Sequence, residues 1–165
     1  ASGIERASDA DEIDRLFRAR RLAYPALERL GPVLTEDICV PRMQVPAMLE
    51  RIEAIAAEAD VTIANIAHAG DGNLHPLIVV AADDADARAR AKVAFDRIVE
   101  ECQRLGGTAT GEHGVGLLKL PAAAAEITGV ELDLHVAVKH AFDPRGLLNP
   151  GKAVPSAGLA AASAR

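Results

Sequence analysis

Tryptophan is absent from the 165 residues, and aromatic residues of all kinds make up only 2%. Platforms that stack single-stranded bases are built from such rings, so that class of binder is disfavoured. A basic excess is missing as well. Eighteen Lys and Arg stand against 24 Asp and Glu, a net charge of -6, whereas a phosphate backbone attracts a positive face. No nucleic-acid partner is expected. Only two cysteines occur, Cys39 and Cys102, far apart and without a CxxC spacing. Both read as small core hydrophobes in a reducing compartment. No apolar run approaches the roughly 20 residues of a membrane span. The opening ASGIERASDADEID is polar and lacks a secretory pattern, so a cytoplasmic protein is expected. No internal repeat of fixed period is present.

What the chain does have is ordinary globular usage, with 50% hydrophobic and 25% charged residues. Its length suits one domain, or two small halves sharing a sheet. The pattern predicts a first helix from about Asp9 to Tyr24, ended by Pro25, with Ile13, Leu16, Phe17, Arg20 and Tyr24 on one face. A strand over 34–40 is closed by Pro41, and a second helix runs from Pro46 to about Glu58. Residues 61–80 read as two strands around Asp71-Gly72, a strong hairpin signal. A third helix covers 86–105 and stops at Gly106-Gly107; a last helix covers 122–142. The Ala/Ser-rich stretch 155–165 reads as a flexible tail. The expected fold class is α+β, an antiparallel sheet with helices packed on one face. The helix at the start has no preceding strand, so the domain is expected to lack its first elements.

Candidate chemistry gathers around the hairpin. With Asp71 and Gly72 as a two-residue turn, His68 faces His75 directly, and their Cβ atoms lie about 5 Å apart on one face. Two imidazoles so placed suit one divalent cation, Zn, Mn or Fe. The third ligand candidate is Glu112, and three protein ligands with open positions make a catalytic metal site. The neighbouring His113, pointing the other way, is the candidate for proton transfer. Bland readings stand beside these. The histidines can be hydrogen-bonded structural groups and 111–116 a flexible loop. Lys119 reads as a solvated lysine, and His135 and His140 as surface or local packing residues. Arg20 can snorkel along apolar surface, or clamp a substrate carboxylate. The glycine order GxxGxG fits neither a dinucleotide fingerprint nor a P-loop, so phosphate cradling is not supported.

Three segments in this order carry a resemblance: HAGDGNLH at 68–75, GTATGEHGVGLLK at 107–119 and FDPRGLLNPGK at 142–152. Together they resemble the C-terminal substrate domain of FAD-linked oxidases, in the vanillyl-alcohol oxidase superfamily. The branch is that of the glycolate oxidase flavoprotein, D-lactate dehydrogenase and D-2-hydroxyglutarate dehydrogenase. The resemblance implies a ferredoxin-like architecture over 1–154. It also implies an N-terminal FAD-binding domain, absent from this chain, and oxidation of a 2-hydroxy acid to the 2-oxo acid with hydride passing to FAD. An electron-acceptor subunit is a further implied partner. By the same resemblance His68, His75 and Glu112 bind the divalent metal, and His113 is the base for the substrate hydroxyl. Arg20 binds the carboxylate, while Asn73 and Asn149 lie in segments that approach the flavin. The fragment alone is expected to be inactive.

Two positions depart from the D-2-hydroxyglutarate pattern. Leu77 stands where those enzymes have an asparagine, and Thr35 where they have a lysine. Both changes favour a small monoacid, glycolate or D-lactate. The rival readings are a non-catalytic ferredoxin-like module that binds a small acid, and a metal-dependent hydrolase.

Overall fold

A computed structural model of the chain describes residues 5–81, 84 and 86–155. Beyond Pro155 the expected tail lies outside the described residues. The element order is α1 (Ala10–Glu28), β1 (Val33–Thr35), β2 (Ile38–Cys39), α2 (Val45–Ala59), β3 (Thr62–His68), β4 (Asn73–Val79), α3 (Ala87–Arg104), α4 (Leu120–Glu126) and α5 (Gly129–Phe142).

β4 is the middle of an antiparallel sheet. β3 lies along one of its sides, and β1 and β2 lie end to end along the other. The pairings Val33↔Val79 and Ile38↔Leu74 belong to one continuous register, so β1 and β2 are a single path with an interruption. The cause is Pro76. Glu36 N–H donates to Pro76 O at 2.9 Å, but Pro76 has no N–H to return. The strand expected over 34–40 is thus split at Glu36 and Asp37. Beyond β2, Thr108 pairs with Cys39 as a lone antiparallel bridge. Spatial order therefore runs Thr108, β1/β2, β4, β3, with α2 and α3 as the crossovers. That is the split βαβ arrangement of a ferredoxin-like domain whose last strand is reduced to one rung.

One sheet face is sealed by α2 and α3. Ile38, Leu74 and Ile78 meet Met48, Ile52 and Ile55 of α2 and Phe95, Ile98 and Cys102 of α3. Each fully buried isoleucine or leucine contributes about 1.5–3 kcal/mol, so this layer holds the domain together. Side chains alternate along a strand, which puts His68, Asn73, His75, Leu77 and Val79 on the opposite face. The two cysteines are free; Cys102 lies inside the core as expected, whereas Cys39, paired with Asn73, is only half-buried and faces away from it.

Two expectations about the helices need correcting. Pro25 does not end α1, which runs on to Glu28. A proline inside a helix loses the bond to the carbonyl four residues back and crowds that carbonyl, but on an exposed helix the carbonyl can tilt outward to water. The apolar face of α1 has no packing partner among the described residues: Ile13 is 48% and Phe17 54% exposed. The last helix is two helices, because Thr128 is extended and Gly129 is left-handed at φ 56°. A β-branched pair followed by glycine breaks the run.

Candidate active site

The hairpin brings the two histidines together, though not through the expected turn. The connection is four residues, 69–72, and the register pairs His68 with Asn73 and Ile66 with His75. Asp71 N–H donates to His68 O at 2.9 Å, and Gly72 at φ 79° then turns the chain into β4. Gly72 lies against the edge of β2, where a Cβ would fall 2.0 Å from Val40 O. Only glycine fits at this close approach. A slip of two residues keeps every side chain on its own face. The rings accordingly remain neighbours, as a diagonal pair with centroids 5.5 Å apart and planes at 89°.

Glu112 arrives from the glycine-punctuated segment after α3. Its Oε1 lies 3.1 Å from His75 Nε2 and 3.5 Å from His68 Nε2. One ligand atom from each of His68, His75 and Glu112 falls within 4.8 Å of the others. This two-imidazole, one-carboxylate donor set is that of known catalytic zinc centres. His113 stacks on His75, with centroids 4.9 Å apart and planes 18° apart. Its Nε2 lies 3.7 Å from Glu112 Oε1. His75 is buried, while His68, Glu112 and His113 are each about half exposed in their side chains, so the cluster opens to one side.

Asp37 anchors the loop that carries Glu112 and His113. Its Oδ2 accepts from Thr110 Oγ1 at 2.7 Å and from the N–H groups of Gly111, Glu112 and His113 at 2.9, 3.0 and 2.8 Å. Its Oδ1 accepts from Asn73 Nδ2 at 3.1 Å. Burial on its own would raise the Asp37 pKa, but hydrogen bonds from His113 N–H, Thr110, Glu112 N–H and Asn73 together hold it well below the usual carboxylate range. Gly111 makes the approach possible, since a Cβ there would lie 1.9 Å from Asn73 Nδ2.

Behind the site, Lys119 is no solvated lysine. It is 6% exposed, pairs with Glu36 at 2.5 Å and also donates to Asp37 O. Sequence reasoning missed Asp37, Glu36 and Lys119. The signal for the acids was two adjacent carboxylates within a strand, where Asp and Glu are depleted; for Lys119 there was none.

Of the other candidates, Asn73 adjoins the cluster as the cross-strand partner of His68, while Arg20 and Asn149 make no hydrogen bond or ion pair to it among the described residues. Arg20 is exposed on α1, and no hydrogen bond or ion pair among the described residues engages it. Asn73 is buried, with Nδ2 spent on Asp37 and Oδ1 unpartnered. Asn149 is exposed in a left-handed conformation at φ 44°, its Oδ1 accepting from Lys152 at 3.1 Å. Its loop is organised by Asp143, which accepts from the N–H groups of Leu147 and Leu148 at 2.9 Å each. Ala153 N–H donates to Gly116 O at 2.9 Å, which ties this loop to the segment bearing Glu112.

Comparison with known proteins bears on this arrangement. The family described as FAD linked oxidases, C-terminal domain, matches residues 1–153. The chain belongs to that family. It is 40% identical over 157 residues to the glycolate oxidase subunit GlcD of Escherichia coli strain K12, covering 94% of this chain and 32% of that protein. Over 153 residues it is 43% identical to GlcD of Bacillus subtilis strain 168, covering 92% and 33%. It is also 34% identical over 149 residues to a probable mitochondrial D-lactate dehydrogenase of Danio rerio, covering 88% and 30%. This FAD-linked oxidase domain therefore spans about a third of the length of the curated relatives it matches. No helix of the described residues is long and apolar enough to cross a membrane.

Proposed function

We propose that this chain is the substrate domain of an FAD-dependent 2-hydroxy-acid oxidoreductase, with His68, His75 and Glu112 holding a divalent cation. The observation that carries the reading is the convergence of those three donors within 4.8 Å beside a fourth, stacked imidazole. Zinc suits the donor set, and manganese or iron are the alternatives. Bound there, a divalent cation supplies Lewis acidity toward a substrate oxygen, and FAD supplies the two-electron acceptor.

The chain's own residues do the rest. His113 takes the hydroxyl proton on a ring nitrogen; its stacking on His75 and its pinned backbone N–H hold the imidazole beside the cluster. Arg20, unpaired among the described residues, binds the substrate carboxylate in a bidentate fork. The buried Oδ1 of Asn73, and Asn149, serve the flavin side.

The substrate we favour is a small monoacid such as glycolate or D-lactate. Thr35 and Leu77, the two positions that depart from the dicarboxylate pattern, are direct cross-strand partners. Leu77 is 1% exposed, so neither a cation nor an amide is offered at that rung for a second carboxylate.

An FAD-binding domain of the same protein is the partner. Support comes from the open side of the cluster and from Leu117, Leu118, Leu147 and Leu148, each about 60% exposed on the two joined segments.

The test uses the full-length protein. Flavin and metal analysis should find both groups, and glycolate or D-lactate should bleach the flavin. His113→Ala should lower turnover by about 10²–10⁴-fold while keeping the metal. Near-normal turnover in that variant would reject the role of His113, and a metal-free wild type would reject the centre.

A further inference from the structure

We infer that Asp37 is the positioning residue of this site: it holds Glu112 and His113 at the cluster by binding their main chain, and is not itself a ligand. The inference rests on the metal-site reading above. Asp37, His75 and His113 also place three ligand atoms within 4.8 Å of one another, so the carboxylate has to be assigned to one job or the other. Its hydrogen bonds decide. A carboxylate offers about four lone-pair positions on its two oxygens. Asp37 already accepts from five donors: Thr110 Oγ1, three successive N–H groups and Asn73 Nδ2. Four of the five converge on Oδ2, three of them from the main chain of 111–113, and Oδ1 is turned to Asn73, so the carboxylate is committed to holding the loop. His75 Nδ1 lies 3.7 Å from Asp37 Oδ1, beyond hydrogen-bond reach.

The geometry explains why a strand residue is used. Asp37 lies in the interruption opposite Pro76, between the Thr35↔Leu77 and Ile38↔Leu74 pairings, and so beside His75. Its carboxylate reads the backbone of residues 111–113 and is therefore indifferent to the side chains it presents. Thr110 completes the lock. Its Oγ1 donates to Asp37 and accepts from Gly114 N–H at 2.8 Å, which closes the loop on itself. The bases of Glu112 and His113 are thus fixed from a buried part of the sheet, while their side chains stay half exposed for ligand and substrate.

The experiment titrates this chain with Co²⁺ and Zn²⁺ and follows amide hydrogen exchange at 111–113. Asp37→Asn should weaken Co²⁺ binding by about 10–100-fold, alter the visible Co²⁺ spectrum and speed exchange at those amides. Thr110→Val should weaken binding several-fold, as a second variant should Asp37→Asn not fold; Thr110→Ser, which keeps the hydroxyl, should restore it. If the unmodified chain binds neither ion, the metal reading fails and the inference falls with it. If it binds, and Asp37→Asn or Thr110→Val binds as tightly with unchanged exchange, positioning by Asp37 alone is overturned. A Co²⁺ spectrum that loses a carboxylate ligand in Asp37→Asn, with exchange unchanged, would make Asp37 a ligand.

Discussion

Glu36 Oε1 lies 2.5 Å from Lys119 Nζ in an interior that leaves Glu36 0% and Lys119 6% exposed. Burial raises the Glu36 pKa from the ordinary 4.5 to about 7, against the opposing pull of Lys119 and of Asp37 N–H. Between those values the folded chain holds more protons than the unfolded one. Stability therefore falls as pH rises from 4.5 to about 7, by on the order of 3 kcal/mol. Glu36→Gln should flatten that part of the profile in urea unfolding followed across pH; an unchanged slope would refute the assignment.

Removing the other partner has a different signature. In Lys119→Met the Glu36 carboxyl stays buried, and its Oε2 already has no partner. At pH 5 Glu36 is neutral with or without the lysine, so the cost is small. At pH 8.5 the ionised carboxylate loses its counter-ion, and the loss should approach about 3 kcal/mol. The double variant Glu36→Gln/Lys119→Met should regain most of it. A loss equal at both pH values would argue for packing by the lysine stem instead.

Asp37 carries the opposite sign. Its folded-state pKa is held below the ordinary 3.8, so its contribution is complete above that value and fades as pH falls below it. Acid unfolding monitored at 111–113 by hydrogen exchange should show these amides opening on the way to global unfolding below pH 3.8, and later in wild type than in Asp37→Asn.

Two glycines make a matched pair. Gly111→Ala places a methyl 1.9 Å from Asn73 Nδ2 and 3.0 Å from Asp37 Oδ1, so it should loosen the loop and lower metal affinity at least tenfold. Gly70→Ala, in the hairpin loop, meets nothing within 4 Å and has no positive φ. Its stability should shift by less than about 0.5 kcal/mol. Calorimetric metal titration of both variants checks the contrast.

Local pattern in the sequence is legible and the folded chain keeps it. The apolar spacing of α2 and α3 and the Asp-Gly signal of the hairpin report short-range preferences, and both survive folding. His68 and His75 are expected on one face and lie there, because alternation survives an even slip in register. The register itself is not legible, since the loop meets the rest of the sheet where Gly72 approaches Val40, a contact between segments far apart in sequence. The same holds for Asp37 and Lys119. Their chemistry is written in the sequence, but which donors close over the one and which acid meets the other is decided only when 107–119 folds back on the sheet. The break at Thr128 and Gly129 does have a local signal, a β-branched residue before glycine, which the apolar periodicity on either side conceals.

Pro76 has a reach beyond its own rung. By withholding one N–H from the sheet it keeps the neighbouring edge from zipping shut, and the gap is where an aspartate can turn toward the loop bearing Glu112 and His113 and a lysine can enter from behind. The corner that carries Glu112 and His113 is thus tied to the fully buried central strand through a fault in its weave.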